Sequence, residues 1–326
     1  KGVKKLEPGS CLVVAADGQL DVQSYWTLHP PSVGSLSEEE WVERMRAVCT
    51  EAIRQQLTAS DVSVGVLLSG GLDSSLIVAL LSEVCEARLK TFSIGFEDTP
   101  EECGQEFQFS DMVAEQYNTQ HEKICIPNAE VLRRLPDVVR AMSEPMVGQD
   151  AVSFYLLAEK VREKVKVVLS GQGADEVFAG YDWYPAMSKA GGQMNGKHQC
   201  PEEALNAFAP HYFDRSHQEW LELVDPRHHV QDVTSQYISK RLTEGSAKTF
   251  LGQVLSLDVT TLAVDDPVKR VDNMTMSWGL EARVPYLDHK LVEEAMAAPD
   301  ELKLRSGGKY LLKALARGRL PEAIIH

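Results

Sequence analysis

The sequence predicts an α/β protein with a doubly wound parallel sheet and a helical C-terminal part. Three observations predict it. Short apolar runs alternate with helix-period segments over residues 62–169, which is the pattern of strand-helix-strand units. Two of those runs stop at Ser69-Gly70 and Ser170-Gly171, at the carboxyl ends of strands, where such sheets bind ligands. Past Cys200 the apolar spacing becomes mostly helical.

The elements follow in order. Residues 10–26 carry short apolar runs around Asp17-Gly18, a hairpin turn dipeptide. His29-Pro30-Pro31 and Gly34-Ser35 read as a linker. Ser37 before Glu38, Glu39 and Glu40 is a helix N-cap with acid in the first turn. Trp41, Met45, Val48, Ala52 and Ile53 continue that helix at its own spacing. Residues 62–68 are almost wholly apolar, as in a strand buried on both faces. A helix over 72–84, a strand over 89–96, a helix over 111–117 and a strand over 121–126 come next. Helices over 128–142 and 151–163 lead to a fourth strand over 165–169. The glycines and methionines of 187–195 read as a flexible loop. Helices are expected at 202–209, 234–242, 249–261, 291–297 and 309–317. Residues 279–288 read as a packed turn in which Glu281 pairs with Arg283.

Composition excludes several classes of function. The 326 residues are 44% hydrophobic and 25% charged, enough for a sizeable globular core. Lys and Arg number 33 against 48 Asp and Glu, a net charge of -15. With no basic run to neutralise a polyanion, a nucleic-acid partner is not expected. No apolar run approaches the ~20 residues that span a bilayer, so no membrane partner is expected either. Six scattered cysteines with no CxxC pair suggest reduced thiols and a cytoplasmic setting.

The sharpest motif is Ser69-Gly70-Gly71-Leu72-Asp73-Ser74-Ser75, between a buried strand and a helix. Backbone N–H groups at a helix start hold phosphate oxygens, aided by the helix dipole. Gly70 and Gly71 allow close approach, and Ser69, Ser74 and Ser75 add hydroxyl donors. Asp73 would repel bare phosphate, so it implies a bridging Mg²⁺. The loop lacks the GxxxxGK[ST] pattern of proteins that handle a γ-phosphate. A cradle without that lysine suits a pyrophosphate leaving group and leaves the α-phosphate open to attack.

The second motif, Ser170-Gly171-Gln172-Gly173-Ala174-Asp175-Glu176, ends the fourth strand and runs on to Phe178-Ala179-Gly180-Tyr181. Asp175 is the natural second carboxylate for the metal. The third motif, Asp265-Asp266-Pro267-Val268-Lys269-Arg270, offers cations, of which Lys269 is the expected phosphate or substrate contact.

The first loop in this setting resembles that of the ATP-pyrophosphatase (adenine nucleotide α-hydrolase-like) superfamily. All three motifs in this order resemble the synthetase domain of class II glutamine amidotransferases of the asparagine synthetase type, over nearly the whole chain. The resemblance implies an ATP-dependent, AMP-forming amide ligase. It assigns Ser69, Gly71, Asp73 and Ser74 to pyrophosphate, and Leu67 and Ile94 to adenine. It assigns Ser170 and Gly171 to the nucleotide, and Asp73 and Asp175 to Mg²⁺. It implies a glutaminase domain in the same polypeptide that supplies ammonia, with residues 1–30 as its tail and 36–326 as the synthetase domain. A homodimer is compatible with it. A family lysine that stabilises reacting charge would lie just beyond His326, so the fragment is expected to turn over poorly by itself.

Gln172 stands where asparagine synthetases usually carry glutamate, a slot that tracks the acceptor acid. Phe92-Ser93-Ile94-Gly95-Phe96-Glu97-Asp98, Ala141-Met142-Ser143-Glu144-Pro145-Met146, Gly180-Tyr181-Asp182-Trp183-Tyr184-Pro185 and Phe213-Asp214-Arg215-Ser216-His217 resemble N-acetylglutaminylglutamine amidotransferases. The first-ranked acceptor is therefore N-acetylglutaminylglutamine, with aspartate as the alternative. Other pyrophosphatase-loop enzymes share the first motif but lack the second, and a non-catalytic ATP-binding module is the remaining alternative.

Overall fold

The computed structural model describes residues 3–98, 107–145, 148, 150–192 and 200–326. The chain opens with β1 (Ser10–Val14) and β2 (Leu20–Ser24), an antiparallel hairpin that forms its own two-stranded sheet. It is exposed along nearly its whole length. Ser37 and Glu40 then form a reciprocal capping box that starts α1 (Glu38–Thr58). One face of α1 buries Trp41, Met45, Cys49, Ala52 and Ile53, the spacing of an amphipathic helix.

The central unit is β3 (Val64–Leu67), α2 (Leu72–Val84), β4 (Lys90–Phe96), α3 (Phe107–Gln116), β5 (Gln120–Ile126), α4 (Asn128–Ala141), α5 (Asp150–Val161) and β6 (Val167–Leu169). The sheet has the strand order β5-β4-β3-β6-β7, every pair parallel. From β3 the chain steps outward to β4 and β5, then returns to place β6 on the other side of β3. That reversal opens a crevice at the carboxyl ends of β3 and β6. Helix α2 is apolar nearly all round and buries eight of its residues, because it lies between the sheet and α1. On the opposite face, α5 packs Val152, Tyr155, Leu156 and Val161 against Phe92, Ile124 and Val168.

Beyond β6 the chain is largely helical. It runs through α6 (Ala174–Phe178), α7 (Tyr184–Gly192), α8 (Pro201–Tyr212), α9 (His217–Leu223), α10 (Val233–Glu244) and α11 (Phe250–Leu257). A π-helical turn over Asp258–Leu262 leads to α12 (Ala263–Asp265) and α13 (Pro267–Met276). After β7 (Glu281–Arg283) come α14 (His289–Ala297), α15 (Asp300–Leu304), α16 (Tyr310–Ala316) and α17 (Glu322–Ile325). A third apolar cluster joins α7, α8, α10 and α11 through Tyr184, Met187, Phe208, Leu242 and Phe250.

Two expectations need correction. The segment read as a flexible loop over 187–195 is helical as far as Gly192, and 193–195 lie outside the described residues. Gly191 serves close packing rather than flexibility, because a Cβ there would sit 2.3 Å from the Phe250 Cβ. The segment read as a packed turn contains β7, the fifth strand of the sheet. Three residues are too few to show a period. Pairing of Val167 with Glu281, Val168 with Ala282 and Leu169 with Arg283 fixes them as a strand. The ion pair between Arg283 and Glu281 forms as expected, at 2.7 Å.

Candidate functional site

The crevice between the ends of β3 and β6 holds a cavity of about 550 Å³. One wall is apolar, built from Leu67, Phe92, Ile94, Phe96, Phe107 and Phe154. The other is polar and carries Ser69, Asp73, Ser74, Ser170, Gly171, Gln172 and Asp175. An apolar wall beside a cluster of donors and carboxylates suits an apolar ring joined to a charged chain.

The turn from β3 into α2 is wired by its own side chains. Ser69 and Ser74 hydroxyls lie 2.9 Å apart, and the Ser69 N–H donates to Ser74 Oγ at 3.2 Å. The Gly71 N–H donates to Ser69 Oγ at 3.3 Å. Gly71 caps α2 in an extended conformation with no side-chain cap bond. First-turn N–H groups of a helix have no intrahelical acceptor, so this start suits an anion. Gly70 has φ +87°, and a Cβ there would meet the Phe109 Cβ at 2.7 Å. Gly70, Gly71 and Ser75 thus belong to the turn but lie off the cavity wall, with Ser75 fully buried.

The second loop closes against the first. A Cβ on Gly171 would come within 3.0 Å of the Asp73 Cβ and 3.2 Å of the Ser74 nitrogen. The two carboxylates, Asp73 and Asp175, converge on one ammonium group. Lys309 Nζ lies 2.7 Å from Asp73 Oδ2 and 2.8 Å from Asp175 Oδ1. Burial opposes the lysine's charge, but the two carboxylates outweigh it and raise its pKa. Burial raises Asp73, against the pull of Lys309. The Tyr286 hydroxyl donates to the Asp73 carbonyl at 2.9 Å and fixes that backbone.

Among the described residues no group of three or more His, Cys, Asp or Glu side chains is arranged to hold a metal. Two carboxylates alone do not complete a coordination shell, so an ion here would need phosphate oxygens and water as well. The donor set fits such an ion. Asp73 Oδ1 is buried and has no hydrogen-bond partner, which leaves one hard oxygen ligand free beside Asp175.

Lys269 stands apart. It is not on the wall of this cavity but on α13, where it pairs with Glu144 beside Lys5. These residues border a separate hollow of about 650 Å³ with Asp265 and Asp272. Lys309 is the residue that sequence reasoning missed. Its signal was Gly307-Gly308 directly before a lysine at a helix start, read only as the beginning of a helix.

The asparagine synthase family model matches residues 44–326. The chain is 30% identical to asparagine synthetase [glutamine-hydrolyzing] 1 of Bacillus subtilis (strain 168), over 99% of this chain and 54% of that protein. It is 28% identical to asparagine synthetase [glutamine-hydrolyzing] 3 of the same organism, over 100% of this chain and 53% of that protein. The Homo sapiens asparagine synthetase [glutamine-hydrolyzing] is 25% identical over 82% of this chain and 38% of its own length. The chain thus spans about half the length, or less, of these relatives.

Proposed function

The chain belongs to the asparagine synthase family, and from that premise we propose that it is the synthetase part of an ATP-dependent, AMP-forming amide ligase. One observation carries the reading: Asp73 and Asp175 meet beside an uncapped helix start at the sheet's switch point, next to an apolar slot. Leu67 and Ile94 face the adenine. The turn from Ser69 to Ser74 holds the β- and γ-phosphates through backbone N–H groups and the hydroxyls of Ser69 and Ser74. Ser170 and Gly171 border the nucleotide. Asp73 and Asp175 hold Mg²⁺, which when bound offsets phosphate charge and polarises the α-phosphate.

An oxygen of the acid's carboxylate forms a bond to the α-phosphorus while the bond to pyrophosphate breaks. Ammonia then bonds to the acyl carbon, AMP departs with the oxygen, and nitrogen loses a proton. The protein's part is to position the reactants and exclude water. Ammonia comes from glutamine on a glutaminase domain of the same polypeptide. Residues 1–30 are the tail of that domain, and 36–326 form the synthetase domain. The exposed apolar side chains of the hairpin, Leu12, Val13, Val14, Leu20 and Val22, suit a surface covered by such a domain. The chain's six scattered cysteines, with no CxxC pair, suit a cytoplasmic setting.

We assign N-acetylglutaminylglutamine as the acceptor. Gln172 supports this choice, because a neutral amide on the cavity wall hydrogen-bonds to amide groups where a carboxylate would attract an ammonium. Aspartate is the second reading, favoured by the names of the relatives. Full-length protein given ATP, Mg²⁺, ammonia and each acid in turn separates them. Amide, AMP and pyrophosphate are expected with the acetylated dipeptide. Product with aspartate alone would shift the assignment, and ADP with phosphate would overturn the reaction class.

A further inference from the structure

Lys309 is held in its position by an unusual amount of structure. Ser306, Gly307, Gly308 and Lys309 are four consecutive residues with positive φ, at 56°, 78°, 92° and 52°. Two of them are not glycine, and a side chain in that backbone region is strained. The surroundings enforce the strain. The Lys309 N–H donates to the Phe178 carbonyl at 3.0 Å. A Cβ on Gly308 would lie 2.2 Å from the Ala179 carbonyl oxygen. A Cβ on Gly180 would lie 2.1 Å from Asp175 Oδ1 and 2.2 Å from the Lys309 Cε. Ala179 is itself left-handed, at φ 55°. The α6–α7 loop and the loop before α16 therefore clamp one ammonium between two carboxylates.

Charge explains what the clamp does. Asp73 and Asp175 together carry two negative charges, and Lys309 reduces the local sum to one. A bare divalent ion must either bind to that one remaining charge or displace a doubly bridged ammonium that then has no anionic partner. A triphosphate changes the balance, because it gives the ammonium an anionic partner of its own. The lysine also leaves Asp73 Oδ1 without a partner, so one acceptor of the pair stays unused while the ammonium is in place.

We propose that Lys309 is a displaceable counter-ion that fills the metal position between Asp73 and Asp175, so that the divalent ion enters with the nucleotide and not before it. This rests on the functional reading above, in which the site takes a metal-bound nucleotide. Its test uses Mn²⁺ and the full chain, with free Mn²⁺ followed by electron paramagnetic resonance. Wild type without nucleotide is expected to bind Mn²⁺ weakly. Adding the non-cleavable analogue α,β-methylene-ATP should tighten binding. Lys309→Met without nucleotide should bind at least about tenfold tighter than wild type, since a repelling charge has gone. Lys309→Arg keeps the charge and should stay as weak as wild type. Asp175→Asn added to Lys309→Met should abolish the gain.

Equal affinities for wild type and Lys309→Met would overturn the proposal. So would tight uptake by nucleotide-free wild type, a result that needs no variant to fold. The titration contains no acceptor acid and no ammonia. Failure of the functional reading appears elsewhere, as ADP and phosphate in the turnover assay.

Discussion

The two Ser-Gly loops end neighbouring strands and each delivers one aspartate to the same cation, yet they are built in different ways. The first is local. Ser69, Gly71 and Ser74 bond to one another within six residues, and the turn runs into the 13-residue helix α2. The second is assembled from a distance. It leads into α6, only five residues long, which ends at left-handed Ala179. Its neighbours are Leu287, packed where a Cβ of Gly173 would fall, and Lys309. Glu176 is held at 2.6 Å by the Tyr181 hydroxyl. A loop wired by its own side chains takes its shape largely from local sequence, with Tyr286 adding one distant bond to the Asp73 carbonyl. One closed by distant residues positions it only when the rest of the domain is folded.

The largest effect is expected where both loops depend on one group. Asp73→Asn removes a carboxylate from the shared pair and leaves Lys309 a single anionic partner, Asp175. Pyrophosphate release by the full-length enzyme should fall by about 10³-fold or more. Retention of more than a tenth of the wild-type rate would remove Asp73 from the metal site. A smaller loss is expected from Gly180→Ala, which tests the second loop only. The new methyl group must displace Asp175 or Lys309. A shift of that size at a reacting centre costs about 10²-fold. The Ser69–Ser74 wiring is untouched, so nucleotide binding measured by calorimetry should change far less than turnover. Parallel losses in both would show that the two loops are not separable.

The difference between the loops also sets what the sequence could reveal. The apolar run, the Gly-Gly step and the serines of 69–75 lie within one heptapeptide, so local chemistry announces them. The strands β3 and β6 were legible as apolar runs bounded by turn residues, while β4 and β5 showed mainly through Phe92, Ile94 and Phe96 and through Ile124-Cys125-Ile126. β7 was not, since three residues with two charges become a strand only by pairing with β6. Lys309 was not legible for a related reason. It is 236 residues from Asp73, and nothing in a lysine after two glycines says which carboxylates it will meet. Helix α7 was hidden because Gly191 looks like a breaker, whereas it is the contact point for Phe250. Lys269 is the reverse case, conspicuous in sequence but set apart from the cavity. Its charge suggested the phosphate site, but α13 carries it to Glu144.

The smallest effect is one of stability, and it probes how the second loop is braced. Asp258 begins the π-helical turn and is 1% exposed. Burial lifts its carboxyl to about 7, against the Tyr184 hydroxyl that donates to it, while Glu176 adds repulsion and Tyr212 a further opposing bond. The hydroxyl of Tyr184 lies 2.7 Å away. In the unfolded chain the group returns to its ordinary value of 3.8. Between these two values the folded protein binds a proton that the unfolded chain does not. Stability from this group therefore falls as pH rises from about 4 to about 7, then levels off. Asp258→Asn cannot ionise but keeps an oxygen to accept from Tyr184. Subtracting the wild-type from the variant unfolding free energy cancels the titration of every other group. That difference should grow by about 2 to 3 kcal/mol between about pH 5 and about pH 8 in urea unfolding. A difference that stays flat would mean that Asp258 is ionised throughout. The brace behind α6 would then rest on a buried charge rather than on a protonated carboxyl.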